Sequence, residues 1–329
     1  MKRISGFFIV SLLCMLLTSS SQQITIFIIG DSTAANKSNY KTNPERGWGM
    51  VLQGFYDARI LVDNHAVNGQ SSKSFIDSGR WKKVIDKVKP GDYVFIQFGH
   101  NDEKPNPQRH TDPGSTFDDN LRMFCKETLA KGGHPVLFNA VVRRNFLRKV
   151  DSTVEDESLR SVKYGEEEVN SDTLIDTHGA YLFPPKYVAK ELGVPFVDAN
   201  RITHDIEQGM GIEGSRKLHM WLKPGEVESI PDGRKDNTHY NIYGARVVAE
   251  ALAEAIAKEI PALRKYIIHY DYVVSALGKG NFLTLQDAVN AVPTGKKTKI
   301  LILDGTWEKP MIPRGKKISF KTFPEARVK

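Results

Sequence analysis

The sequence predicts an α/β protein, a three-layer α/β/α sandwich built on a central parallel sheet. Two features of residues 24–260 favour this fold. Short apolar runs alternate with longer segments of helical periodicity, which is typical of parallel strands joined by helical crossovers. The runs are apolar at almost every position, as expected for strands that helices cover on both faces.

Five apolar runs are the strand candidates of this region. They span residues 24–29, 60–63, 93–98, 135–140 and 195–197. The clearest helix candidate spans 243–260, where small and aliphatic residues recur at three- and four-residue steps and form one apolar stripe. We expect this helix to pack on the sheet.

Residues 1–21 read as a secretory signal peptide. Lys2 and Arg3 precede an apolar run over 6–17, and three serines follow it. The run is shorter than the ~20 residues that span a membrane, and a buried N-terminal helix would not explain the basic start. We expect export to the periplasm, the cell surface or the medium, with no membrane attachment after the signal is removed.

Two segments lack a regular pattern. Residues 148–176 are rich in Asp and Glu and poor in large apolar residues, so we expect a mobile insertion that buries little surface. Residues 209–236 are rich in glycine, proline and charge, and long loops of this kind are often lids or binding loops.

The pattern changes after Pro261. Strand candidates at 270–274, 299–303 and 316–320 accompany a single helical pattern over 283–292. We expect one domain over 22–262 and a separate, incomplete segment over 269–329, which at about sixty residues would be marginal by itself.

The net charge of +7 would attract a polyanion such as nucleic acid, anionic lipid or an acidic polysaccharide. Nucleic acid is the least favoured, because no arginine-rich run is interleaved with aromatic residues. Of the two cysteines, Cys14 would leave with the signal peptide. Cys125 lies in a helical pattern and is expected to be a small buried hydrophobe.

Ser32 follows the first predicted strand in the sequence Gly30-Asp31-Ser32-Thr33. Open α/β sheets present their ligands at the carboxyl ends of strands, which makes Ser32 a candidate nucleophile. The alternative is an ordinary helix N-cap serine.

A serine nucleophile needs a base, and the base needs a group that orients it. Asp236 lies three residues before His239, just ahead of the last predicted helix, so one tight turn could present both toward the sheet edge. The alternative is a capping aspartate beside a solvated histidine.

Acyl transfer also needs hydrogen-bond donors for the oxyanion. Gly69 and Asn101 follow the second and third predicted strands and could offer a backbone N–H and a side-chain amide. Glycine and asparagine are also the commonest turn residues after a strand.

Taken together, Ser32, Gly69, Asn101 and His239 resemble the four residues that name the SGNH hydrolase superfamily. The resemblance implies a flavodoxin-like fold, with Ser32 as nucleophile, His239 as base and Asp236 as its orienting acid. It also implies an oxyanion hole made by the backbone amides of Ser32 and Gly69 and the side chain of Asn101.

Within that superfamily, residues 24–260 most closely resemble the rhamnogalacturonan acetylesterases. The shared motifs are Gly30-Asp31-Ser32-Thr33, Gly47-Trp48-Gly49, Gly91-Asp92-Tyr93-Val94 and Gln97-Phe98-Gly99-His100-Asn101-Asp102. Thr33 stands where many lipolytic relatives have leucine, which fits the polysaccharide branch. The resemblance implies a secreted serine esterase that removes O-acetyl groups from an acidic plant cell-wall polysaccharide, without metal or cofactor.

The tail is similar to the opening of a pectin methylesterase, a right-handed parallel β-helix. The motifs are Asp271-Tyr272-Val273-Val274, Gly280-Asn281-Phe282, Leu285-Gln286-Asp287-Ala288, Ala291-Val292-Pro293 and Gly305-Thr306-Trp307. The catalytic aspartates and arginine of that family have no counterpart before Lys329, so we expect this partial β-helix to be inactive by itself.

A pectic substrate would carry galacturonate carboxylates, which arginine binds well. The candidates are Arg46, Arg80, Arg143 and Arg144, although any one of them is equally compatible with a solvated surface arginine.

Two other functions fit parts of the sequence. A lipid or aryl-ester hydrolase would use the same residues and predicts a wide apolar pocket. A non-catalytic pectin-binding module predicts binding without acetate release, and the complete set of candidate catalytic residues argues against it.

Overall fold

The computed structural model describes residues 23–149 and 153–329. The predicted signal peptide lies outside the described residues. Within them, no helix combines the length and the apolar character needed to cross a membrane.

The central sheet has five strands, all parallel, in the order β2-β1-β3-β4-β5. They are β1 (Ile24–Gly30), β2 (Ile60–Asn64), β3 (Tyr93–Gln97), β4 (His134–Phe138) and β5 (Phe196–Val197). The parallel sheet is therefore confirmed, and its order is the flavodoxin-like one. In that order the chain reverses direction across the sheet beside β1, where ligands of such folds bind.

Helices cover both faces of the sheet. One layer holds α1 (Trp48–Val51), α6 (Ala199–Ser215), α7 (Ile242–Glu259) and α8 (Pro261–Arg264). The other holds α2 (Ser72–Asp77), α3 (Arg80–Ile85), α4 (Thr116–Ala130) and α5 (Pro184–Leu192). Cys125 is buried on α4, as expected.

The two cores explain why the strands are apolar throughout. In β1, Ile26 and Ile28 pack into the core under α7, whereas Phe27 and Ile29 pack into the core under α4. All four side chains are at most 3% exposed, and burying each one contributes about 1.5–3 kcal/mol.

The start of α7 is fixed immediately after the candidate base. Asn241 caps the helix, since its side chain accepts a hydrogen bond from the backbone N–H of Gly244 at 2.9 Å. Gly244 itself packs so closely on Leu218 that a Cβ there would overlap the Leu218 carbonyl. The cap and this close packing therefore fix the first turn of α7, and His239 lies just before that turn.

The two irregular segments are more structured than predicted. Residues 148–176 include a short 3-10 turn, Asp156–Ser161. The expected loop over 209–236 is wrong for its first seven residues, because α6 continues to Ser215. Glycines hide that continuation in the sequence, and Gly211 does break the regular helix with a φ of 69°.

The tail forms two small parallel sheets beside the main domain. Three strands, β6 (Tyr272–Val274), β7 (Lys297–Ile302) and β9 (Lys317–Thr322), form one sheet in the order β6-β7-β9. The other sheet pairs β8 (Gly305–Trp307) with β10 (Ala326–Val328), and α9 (Leu285–Ala291) follows β6 along the chain. The start of a pectin methylesterase-like β-helix stays a prediction.

Candidate active site

Ser32 lies on a tight turn directly after β1. The Oδ1 atom of Asp31 accepts hydrogen bonds from the backbone N–H of Thr33 at 2.9 Å and from its hydroxyl at 2.7 Å. Gly30 is needed before the turn, because a Cβ there would lie 2.6 Å from the carbonyl oxygen of Gln97 on β3. The turn therefore holds Ser32 at the carboxyl edge of the sheet, and the serine is 2% exposed.

The Gly47-Trp48-Gly49 motif braces this turn. The backbone N–H of Trp48 donates to the carbonyl of Thr33 at 2.9 Å. The indole N–H of Trp48 donates to the side chain of Gln97 at 2.8 Å. A side chain at position 47 would overlap the backbone at Ala34, so only glycine allows this approach.

Asp236 and His239 complete a hydrogen-bonded series with Ser32. The Nε2 atom of His239 lies 2.9 Å from Ser32 Oγ, and its Nδ1 atom lies 2.8 Å from Asp236 Oδ2. All three side chains are at most 2% exposed. A buried carboxylate, imidazole and hydroxyl in this order can transfer a proton away from the hydroxyl during attack on an ester.

The Asp236 carboxylate is held ionised. Its Oδ1 atom accepts the backbone N–H groups of Thr238 and His239, each at 2.9 Å, and Oδ2 pairs with Arg234 as well as with His239. Burial would raise the pKa of this carboxyl, but the attraction of His239 and Arg234 and the hydrogen bonds outweigh burial and lower it below its ordinary value.

Three candidate donors for an oxyanion come from the loops that follow β1, β2 and β3 at the carboxyl edge of the sheet. Within the described residues, the backbone N–H groups of Ser32 and Gly69 donate to no backbone carbonyl. Gly69 has a φ of 70°, a conformation that favours glycine. Asn101 is 1% exposed, and its side-chain amide donates to the carbonyl of Gln70 at 3.1 Å, so it faces the same loop.

Asp102 ties the two oxyanion loops together, a role that the sequence analysis did not identify. Its carboxylate accepts the backbone N–H of Ser72 at 3.0 Å and that of Gly99 at 3.1 Å. It also accepts the hydroxyls of Ser72 and Thr111. The loop after β2 and the loop after β3 are therefore fixed to one buried side chain.

The insertion covers this site. Glu157 lies in its 3-10 turn, with Oε1 3.8 Å from Nε2 of His239. Arg109 lies over Gly69 and pairs with Glu155 of the insertion at 2.6 Å. No sequence signal identified Arg109, because it follows a loop rather than a strand end.

Neither Arg46 nor Arg80 joins the triad. Arg46 is 1% exposed, and its guanidinium donates to backbone carbonyls, including that of Gly278 in the tail at 2.9 Å. Arg80 is half-buried at the first position of α3. The predicted substrate contacts require accessible guanidinium groups, so the burial of Arg46 gives that role no support.

Arg143 and Arg144 lie near the triad, but their charges are already paired. Arg143 contacts Glu103 at 2.5 Å and Asp156 at 2.7 Å. Arg144 is fully buried and pairs with Glu167 of the insertion. Both side chains therefore hold the insertion against the sheet edge, a role that the sequence did not predict.

A small cavity of about 150 Å³ opens next to the histidine loop, with Asn237 and Thr238 in its lining, but neither Ser32 nor His239 lines it. Most of its lining is polar or charged. The lining residues are Lys104, Arg143, Arg144, Asn145, Val154, Asp156, Leu159, Thr177, Asn237 and Thr238. Among the described residues, no group of three or more His, Cys, Asp or Glu side chains is arranged to hold a metal ion.

Residues 26–252 match the model of a known family, GDSL-like lipase/acylhydrolase. The chain belongs to this family. The match spans the sheet, Ser32, the oxyanion loops and His239, and it confirms the superfamily that the four sequence blocks indicated.

Two relatives of this GDSL-family chain carry related names. Rhamnogalacturonan acetylesterase RhgT from Bacillus subtilis (strain 168) is 36% identical over 256 residues, which cover 78% of this chain and 97% of that protein. A rhamnogalacturonan acetylesterase from Emericella nidulans is 26% identical and covers 80% of this chain and 97% of its own length. The chain is a carboxylic ester hydrolase.

A solved structure shares the fold. It is that of the protein YxiM from Bacillus subtilis, which is 23% identical with a TM-score of 0.55. The likeness covers 73% of this chain and 58% of that one, so this GDSL-family chain spans little more than half of that structure.

Proposed function

We propose that the protein removes O-acetyl groups from a pectic polysaccharide, foremost rhamnogalacturonan, through an acetyl-serine intermediate. The observation that carries this proposal is the hydrogen-bonded series from Asp236 through His239 to Ser32. It occurs in a chain that is 36% identical to a rhamnogalacturonan acetylesterase.

In the first step, Ser32 Oγ attacks the acetyl carbonyl while Nε2 of His239 takes the hydroxyl proton. The backbone amides of Ser32 and Gly69 and the side chain of Asn101 stabilise the oxyanion. The C–O bond to the sugar then breaks, and His239 gives its proton to the departing sugar hydroxyl. Acetyl-Ser32 remains.

In the second step, His239 takes a proton from water, and the hydroxide attacks the acetyl carbonyl of acetyl-Ser32. The tetrahedral oxyanion binds the same donors. Its collapse breaks the bond to Ser32 Oγ, which recovers the proton from His239, and acetate leaves. Asp236 stays ionised and stabilises the imidazolium in both steps.

The side chains that cover the triad are charged, which supports a polar substrate: Glu157 lies 3.8 Å from His239 Nε2, and Glu155 pairs with Arg109 over Gly69.

Export belongs to the same proposal. A polymeric cell-wall substrate does not enter a cell, so its esterase must act outside the membrane. The basic start and apolar run of residues 1–21 support this placement.

The test is acetate release from three acetylated polymers, rhamnogalacturonan, homogalacturonan and xylan, by the wild type and by Ser32→Ala. We expect serine-dependent release that is fastest on rhamnogalacturonan. Faster release from xylan would keep the catalytic residues and overturn the pectic assignment. Binding to pectin without any acetate release would favour the binding-module alternative.

Aryl esters of increasing acyl length provide the matched comparison. If the natural substrate is an acetyl ester, kcat/KM should fall steeply from acetyl to longer chains. Equal or rising activity on long chains would favour a lipid substrate.

A further inference from the structure

A set of buried charges lies behind the triad, and the reaction steps above do not use it. Its centre is Glu45, whose side chain is 3% exposed. The Glu45 carboxylate accepts Lys37 Nζ at 2.9 Å, Arg234 Nη1 at 2.8 Å and Arg160 Nη2 at 2.6 Å. Three cations from separate segments therefore meet at one carboxylate.

Two of these cations also contact the catalytic segments. Arg234 uses its other terminal nitrogen, Nη2, to pair with Oδ2 of Asp236. Lys37 Nζ donates to the carbonyl of Ser32 at 2.7 Å and to the side chain of Asn68 at 2.7 Å. Asn68 directly precedes Gly69 in the oxyanion loop.

The contacts close a ring. It runs from Ser32 to His239 and Asp236, then through Arg234, Glu45 and Lys37 back to the carbonyl of Ser32. The nucleophile turn, the histidine loop and, through Asn68, the oxyanion loop are all attached to this ring. Backbone hydrogen bonds add to it, from the Val67 N–H to the Gly30 carbonyl and from the Arg46 N–H to the Tyr240 carbonyl, each at 3.0 Å.

We infer that Glu45 is a positioning residue for the esterase reaction, acting through Arg234 on Asp236 and through Lys37 on Ser32 and the oxyanion loop. This inference rests on the proposed function. Nucleophile, base and oxyanion donors must keep their mutual distances, because a displacement of about 1 Å can cost about a hundredfold in rate.

The charge balance explains why a carboxylate is needed at this position. Burial would raise the pKa of the Glu45 carboxyl, but Lys37, His239 and Arg160 hold it well below its ordinary value. Without that charge, Lys37 and Arg234 would each be a buried cation that lacks an anion partner, and Arg234 would move toward its other carboxylate, Asp236.

A buried ion pair is weak evidence for stability, so the experiment must separate positioning from folding. The matched control is Asp92→Asn. Asp92 is 4% exposed and accepts the backbone N–H groups of Thr25 and Lys89, each at 2.9 Å, at the opposite edge of the sheet. It shares the burial and the charge of Glu45 but contacts no catalytic segment.

The experiment measures kcat, KM and unfolding for Glu45→Gln, Arg234→Gln and Asp92→Asn on an aryl acetate. We expect kcat to fall at least about tenfold in the first two variants, with KM within about twofold of the wild type. Asp92→Asn should lower the unfolding midpoint while leaving kcat nearly unchanged.

The pH profile gives a readout that a merely structural role would not move. Removing the negative charge of Glu45 disfavours the charged imidazolium, so the acid limb of kcat/KM should move to lower pH. Removing the positive charge of Arg234 should move that limb to higher pH. Shifts in the same direction, or no shifts, would overturn the inference.

Two further results keep the outcomes distinct. If Ser32→Ala retains activity, the proposed function fails. If Ser32→Ala is inactive but Glu45→Gln keeps kcat within about twofold of the wild type, only the positioning inference fails. Should Glu45→Gln not fold, Lys37→Met breaks the same ring on the other side of Glu45, and an unchanged kcat there would equally overturn the inference.

Discussion

Lys37 is a buried cation whose charge depends on pH within the working range of many enzymes. Burial lowers the pKa of its ammonium to about 8, although the attraction of Glu45 opposes that shift. Arg160 lowers the pKa further, and Asp31 raises it. Lys37 is therefore charged below about pH 8 and neutral above it.

The loss of the Lys37 charge predicts an alkaline limb in the pH profile of kcat/KM. The carbonyl of Ser32 and the side chain of Asn68 lose a charged donor as the pH rises through about 8, so wild-type kcat/KM should fall there. Lys37→Met should have lower activity and no such limb. A limb that persists in Lys37→Met would contradict this assignment.

The contribution of Lys37 to stability should change with pH in the opposite direction to its contribution to activity. The pKa of Lys37 is lower in the folded chain than its ordinary 10.5, so the unfolded chain binds more protons between about pH 8 and 10.5. The contribution of Lys37 to the free energy of unfolding therefore rises across that window. Thermal unfolding of the wild type and Lys37→Met over this range checks the sign.

Some candidate site residues could be found from sequence because they lie in short motifs at strand or helix ends. Ser32 and His239 are of this kind, and the structure brings them together. Arg143 and Arg144 also follow a strand, yet their partners Asp156 and Glu167 come from the insertion. Sequence gives no sign of such a long-range pairing, so their burial was not predictable.

At the scale of elements, the five strands were predictable because two cores cover the sheet and leave each strand a continuous apolar run. The insertion was harder to predict. Its low apolar content indicated little burial, but its charges are fixed by ion pairs such as Asp156 with Arg143. Ion pairs hold the insertion in place of apolar contacts. Composition does not distinguish charged residues that form buried ion pairs from charged residues that are solvated.

The packing of α7 on Leu218 predicts a local effect with a functional consequence. Gly244→Ala places a Cβ on the Leu218 carbonyl, so we expect a loss of about 1–3 kcal/mol in the free energy of unfolding. Because the helix start follows His239 so closely, kcat should fall as well. Chemical denaturation and steady-state kinetics measure the two effects.

Gly209→Ala is the matched control. Gly209 is an exposed residue of α6, and a Cβ there would meet no atom within 4 Å. Alanine should stabilise that helix by about 0.5–1 kcal/mol and leave kcat unchanged. Equal losses at both glycines would contradict the role given to the Leu218 contact.

At the scale of the whole molecule, the tail packs against the esterase domain. Val273, Leu301, Leu303 and Phe323 form an apolar cluster that also contacts Ala58. Arg46 donates across the same boundary to Gly278. The strands β6, β7 and β9 were predictable from their apolar runs, whereas β8 and β10 were not predicted, and this docking depends on contacts between distant residues.

Removing residues 269–329 should therefore lower stability more than activity. The chain loses an apolar cluster, and each kcal/mol lost lowers Tm by about 2–4 °C in a domain of this size. Acetate release should still depend on Ser32, because the triad itself comes from the main domain. Complete loss of activity in a truncated chain that still unfolds cooperatively would contradict this view.

The most direct test of the central claim is acetate release from acetylated rhamnogalacturonan by the wild type and by Ser32→Ala, with both chains shown to be folded by the same thermal unfolding transition. The account predicts steady release by the wild type and none above background by Ser32→Ala. Equal release by both chains would show that Ser32 is not the nucleophile and would contradict the account.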